Sequence, residues 1–184
     1  MNNYFLVLVL VCVFVSFDIL AQVARQKDSH EHGAAKLMIA MEGEKLQVEF
    51  EVPSESLIGF EHLPKSQSNR NNFNEAIKNL SDPSKLFSMP NKAECLLVGT
   101  NVSQSLFSNE GDPGHDESEK SEIHSEFKSN YYWNCQHLDE IDSIGTQLMS
   151  FFPRIEEIRV NWISNNGQGS LELESEDDRI KGWK

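Results

Sequence analysis

Two short alternating runs constrain the first half of the chain more than any other feature. Leu37, Ile39 and Met41 alternate with polar or small residues, and Leu46, Val48, Phe50 and Val52 alternate with Gln47, Glu49 and Glu51. Side chains two residues apart share a face of a strand, so each run has one apolar and one wet face. Glu42-Gly43 lies between them as a turn, which predicts a β-hairpin with one buried side. Pro53 ends the second strand, because proline brings no N–H to a ladder.

The same reading extends along the chain. Phe73, Ala76, Ile77 and Leu80 recur at helical spacing, and Asp82-Pro83 stops that helix. Leu96, Val98 and Val102 mark a third strand, and Phe127, Tyr131, Trp133 and Cys135 share one face of a fourth. Leu138, Ile141, Ile144, Leu148 and Phe152 form a stripe that predicts a longer second helix, ended by Pro153. Ile158, Val160 and Trp162 make a fifth strand, and Asn166-Gly167 turns the chain into a sixth with Leu171 and Leu173. The order is β-β-α-β, an acidic segment, then β-α-β-β. It predicts an α+β fold: a mainly antiparallel β-sheet with two helices packed on it.

The N-terminus reads as a leader. Phe5–Phe17 is a thirteen-residue apolar run, the length of a secretory h-region and too short to span a bilayer as a helix. The preceding "MNNY" lacks the usual Lys or Arg, and a lipoprotein reading of Cys12 is disfavoured by Val11 where a small residue is needed. We expect a cleaved signal peptide at residues 1–21, ending at Ala21, and a folded domain at residues 22–174. The charged tail, residues 175–184, is expected to fray.

Charge narrows the partners. The chain has 16 Lys and Arg against 29 Asp and Glu, a net −13; the leader holds one of those acids, Asp18, and no base, so the mature chain carries −12. Such a field repels nucleic acid and anionic lipid and attracts cations. Two cysteines remain after the leader, Cys95 and Cys135. An even pair in an exported protein predicts one disulfide, which would stabilise the fold by about 4 kcal/mol in the loop-entropy model. The competing reading, a pair of thiolate metal ligands, lacks the close C-x-x-C spacing that zinc favours.

The residues that could carry chemistry are histidines and acids. His30 and His32 in "HEHG" would face one side of an extended segment, so both imidazoles could converge on one cation. His62 follows Glu61 in "LIGFEHLP", where Phe60 is an anchor and Gly59 suits an unusual turn. Residues 108–126 hold seven carboxylates with His115 and His124. Asp116, Glu117, Glu119, Glu122 and Glu126 lie among them, and the segment lacks apolar anchors, so it reads as a flexible acidic insertion. Mixed imidazole and carboxylate donors suit Zn²⁺, whereas carboxylates alone would suit Ca²⁺, though no EF-hand pattern is present. A plain solvated linker is the competing reading for this segment. No Gly-rich phosphate loop, HExxH or G-x-S-x-G occurs, so the common enzyme signatures are absent.

These motifs resemble a family. "HEHGAAKL" matches an H-x-H-G-x-A-x-L start and "LIGFEHLP" an L-x-G-F-E-H-x-P motif about 25 residues later. That pair is similar to the DUF2796 family of bacterial periplasmic, zinc-regulated-protein-A-like zinc-binding proteins. The likeness continues through "DPSKLF", Cys95, "HSEFKSNYYWNC" and "FFPRIEEIRVNWISNNGQGSLEL" and covers nearly all of the mature chain. It implies an exported periplasmic protein that buffers or delivers Zn²⁺ in support of zinc uptake, with a zinc uptake system of the envelope as partner. It implies zinc ligands among His30, His32, Glu61 and His62, joined by His115, Asp116 and His124 of the insertion. Family insertions are often dense in histidine, and this one has only two.

The alternative from a different class is a non-catalytic periplasmic interaction module whose acidic loop is a spacer or weak Ca²⁺ binder. A zinc hydrolase would need an open coordination site with a general base, for which Glu31 and Glu61 are candidates that no spacing recommends. The expectation is therefore no enzyme, no nucleic acid and no membrane insertion after the leader is removed.

Overall fold

The computed structural model describes residues 33–107, 125–175 and 177–183. The expected leader at residues 1–21 and most of the acidic insertion fall outside them.

The alternating runs form the predicted hairpin. β1 (Ala34–Glu42) pairs antiparallel with β2 (Lys45–Pro53), and Leu37, Ile39, Val48 and Phe50 are buried on one face. Three short or medium helices follow: α1 (Ser54–Ile58), α2 (Gln67–Leu80) and α3 (Pro83–Leu86). The Ser66 hydroxyl caps α2 by accepting the Asn69 N–H at 3.0 Å, which starts this helix one and a half turns before its apolar stripe. A two-residue strand β3 (Phe87–Ser88) leads to β4 (Cys95–Gln104), and β5 (Glu126–Cys135) returns beside it. β7 (Glu157–Ser164) and β8 (Gly167–Leu173) form the last hairpin across Asn166-Gly167.

The main sheet has six strands in the order β4-β5-β2-β1-β7-β8. Every neighbouring pair is antiparallel except β1 with β7, which brings the chain's two halves together. One face is the core and lies under the helices: Phe73 of α2 meets Phe127 of β5, and Tyr131 donates its hydroxyl hydrogen to the Leu80 carbonyl at 2.8 Å. Lys36, Met38, Gln47, Glu49 and Lys128 line the other face. Cys95 and Cys135 stand opposite one another on β4 and β5 and are disulfide-bonded.

Two expectations are corrected. The stripe from Leu138 to Phe152 is not one helix. It is a 3-10 turn at Leu138–Glu140, a strand β6 (Ile144–Thr146) and a four-residue helix α4 (Leu148–Phe151). Ile141, Ile144, Leu148 and Phe152 are nevertheless all buried, so the spacing marked burial correctly and the backbone wrongly. Asp142, Ser143 and Gly145 interrupt the run with residues that are poor in a helix interior, and β6 gains hydrogen bonds from β3 and β9 (Arg179–Ile180) in a second, three-stranded sheet.

The tail does not fray either. Ile180 and Trp183 are buried, and the Trp183 indole donates to the Ile141 carbonyl at 2.7 Å. Two apolar side chains among the tail's charges suffice to dock it.

Candidate metal-binding site

The site begins at Gly33, the residue after His32. Its φ is +84°, a left-handed conformation open to glycine. The Gly33 N–H donates to the buried Ser56 hydroxyl at 2.9 Å, and its carbonyl accepts from the N–H groups of Glu156 (2.8 Å) and Glu157 (3.1 Å). The start of β1 is thus tied both to α1 and to the start of β7. The Glu156 carboxylate folds back over Gly33, its Oε2 lying 3.4 Å from where a Cβ would stand.

α1 then delivers the histidine. The helix ends at Gly59, φ +85°, whose N–H donates to the Glu55 carbonyl at 2.8 Å. The Arg154 guanidinium covers Gly59 and lies 2.9 Å from the position a Cβ would take, so no larger residue fits without displacing it. Phe60 is buried as the sequence predicts, Glu61 is half-buried, and His62 is exposed. The His62 ring stacks on Phe60 with centroids 5.1 Å apart and planes 24° apart.

One hydrogen bond orients this imidazole. His62 Nδ1 lies 2.9 Å from the Leu63 carbonyl, which can only accept, so Nδ1 carries the hydrogen. The neutral ring then presents the lone pair of Nε2, the form in which histidine ligates zinc. A backbone carbonyl on the second nitrogen is also the partner commonly found behind metal-bound imidazoles.

Of the other predicted ligands, Glu61 precedes His62 in the chain and is half-buried, with its Oε1 shielded from solvent. His30, His32, His115, Asp116 and His124, with Glu117, Glu119 and Glu122, lie outside the described residues. Glu126 opens β5 beside Lys128 on the solvent face of the main sheet. There Lys128 pairs with Glu49 at 2.6 Å and Glu51 at 3.7 Å, and Lys36 with Glu51 at 3.8 Å. The hydrogen bond to Glu49 holds Lys128 above the usual lysine range. Glu49 and Glu51 are therefore already matched by lysines. Among the described residues no three His, Cys, Asp or Glu side chains gather as a metal site.

Ser56, Arg154 and Glu156 had no signal in the sequence reading. They matter because the stretch Arg154–Glu157 runs across both Gly59 and Gly33, joining the segments that bear the two histidine motifs. Among the described residues no helix is long and apolar enough to cross a membrane.

The sequence model for "ZrgA family zinc uptake protein" matches residues 29–182. That span takes in both histidine motifs, the insertion and the disulfide. No curated protein matches the chain.

Proposed function

Because the chain belongs to the ZrgA family of zinc uptake proteins, we propose that it is an exported periplasmic protein that binds Zn²⁺ and buffers it or hands it to an uptake system of the envelope. The observation that carries this reading is the exposed His62 imidazole, whose Nδ1 meets the Leu63 carbonyl and whose Nε2 is thereby left as the nitrogen for a metal. His30 and His32 are the further nitrogen ligands, with Glu61 the adjacent carboxylate. The clamp at Gly33 supports this assignment, since it fixes the chain one residue after His32 against the helix that leads to His62. His115, Asp116 and His124 of the insertion form a weaker, more adaptable second set, because ordering a segment without apolar anchors costs conformational entropy.

The role is binding and transfer rather than catalysis. A hydrolase would need a general base beside an open coordination position, and no spacing in the chain recommends one. Zinc titration of the purified, tag-free protein tests the reading: wild type takes up zinc stoichiometrically, and the His30→Ala/His32→Ala/His62→Ala variant loses the tight site. A wild-type protein that takes up no zinc, or binds calcium as tightly, would overturn it.

A further inference from the structure

β4 is an edge strand of unusual composition. It pairs with β5 and, among the described residues, with no other strand. Half of its backbone N–H and C=O groups therefore point away from the sheet, a ready template for another chain. Natural edges are protected by lysine or other charges, by proline, by shortness or by bulges. The ten residues of β4, "CLLVGTNVSQ", include no charged residue and no proline. Only the irregularity between Leu97 and Gly99 interrupts the ladder. Leu96 and Val98 are 69% and 62% exposed, and Leu97 is 41% exposed. The opposite edge, β8, is shorter and carries Glu172.

We infer that β4 is a self-association edge, on which a second copy of this chain docks by antiparallel β4-to-β4 pairing. Charge selects that occupant. The mature chain carries a net −12, so two copies repel over most of their surfaces, and an uncharged ten-residue strand is where they meet with least repulsion. A partner recognised through charge would find nothing on β4 to read. A second β4 is equal in length and equally neutral, and a two-fold axis makes the contact self-complementary.

The register supports this. With Val98 bulged out of the ladder, a two-fold at Thr100 sets Leu97 of each copy opposite Val102 of the other. Both stand on the core side of the sheet, paired with Trp133 and Ser129 of β5. The product is one continuous sheet built from two six-stranded halves.

Sedimentation of the oxidised, full mature protein in chelator, over a range of concentrations, tests the inference while excluding zinc-bridged association. Wild type sediments as a concentration-dependent dimer, and its β4 amides exchange more slowly as concentration rises. Leu96→Lys/Val98→Lys, at two solvent-exposed positions, sediments as a monomer with unchanged circular dichroism and melting temperature. A wild-type monomer at every concentration overturns the inference. So does a dimer that survives the lysines but dissociates with Met38→Lys/Ile163→Lys on the open sheet face, since association then runs through another surface.

Discussion

Gly33 and Ser56 are joined by a buried hydrogen bond, Gly33 N–H to Ser56 Oγ at 2.9 Å, across 23 residues of chain. It ties the end of the first histidine motif to the helix that precedes the second. Ser56→Ala leaves the Gly33 donor unsatisfied in the interior and should cost about 1–3 kcal/mol. Gly33→Ala forces an L-residue into φ +84° and should cost about 1–2 kcal/mol. Both variants should also bind zinc more weakly, because the His30–His32 segment loses its anchor. Denaturant unfolding and zinc titration on the same samples check this. Lost stability with unchanged zinc affinity would make the clamp structural only.

Zinc affinity should be steeply pH-dependent. Each imidazole must be neutral to bind, and free histidine takes up a proton near about pH 6.5. Three such ligands make the metal compete with up to three protons as pH falls from about 7 to 5. Carboxylates protonate near about pH 4 and would hold their affinity over that window. Calorimetry at the two pH values distinguishes the two ligand sets, and a flat profile would rule out the histidine site. His62→Ala should remove part of the pH dependence together with affinity.

Removing residues 108–122 should leave the fold intact. The strands on either side are already closed: the Ser105 N–H donates to the Glu126 carbonyl at 3.0 Å, and the Glu126 N–H to the Ser105 hydroxyl at 2.9 Å. Shortening a loop changes its closure entropy only slowly. The melting temperature should therefore hold, while zinc capacity drops and the tightest site persists. Loss of all zinc binding would make the insertion the principal site.

Tyr131 predicts the alkaline limit of stability. Burial pushes its hydroxyl up to about 12, against an ordinary value of 10.0. Between those values the unfolded chain ionises and the folded chain does not, so the unfolded state binds fewer protons and stability falls as pH rises. Stability is undiminished by this group below about pH 10, and the loss reaches about 2–3 kcal/mol by pH 12. Tyr131→Phe should remove that part of the decline, and should lower stability at neutral pH by about 1 kcal/mol through the lost bond to Leu80. Urea unfolding of both proteins between pH 9 and about 12 measures it.

Six strands, those of the main sheet, and the buried faces of β1, β2 and β5 are legible in the sequence. Leu37 to Val52 and Phe127 to Cys135 carry a period of two, and that period fixes both strand identity and the inward face. The sequence by itself also determined the cysteine pair and the exposed histidine after Phe60. What the tertiary structure decided is which buried stretches meet. The apolar residues from Ile141 to Phe152 satisfy helical spacing, yet β6 forms there because Phe87–Ser88 and Arg179–Ile180, from either side in sequence, supply its hydrogen bonds. Trp183 turns a charged tail into core for the same reason. The site follows suit: His62 can be read locally, whereas Ser56 reaches Gly33 across the β1–β2 hairpin, and Arg154 and Glu156 reach Gly59 and Gly33 through the parallel pairing of β1 with β7. Periodicity records the environment of a single element. A contact between residues far apart in the chain depends on two elements together, and neither carries a local trace of the other.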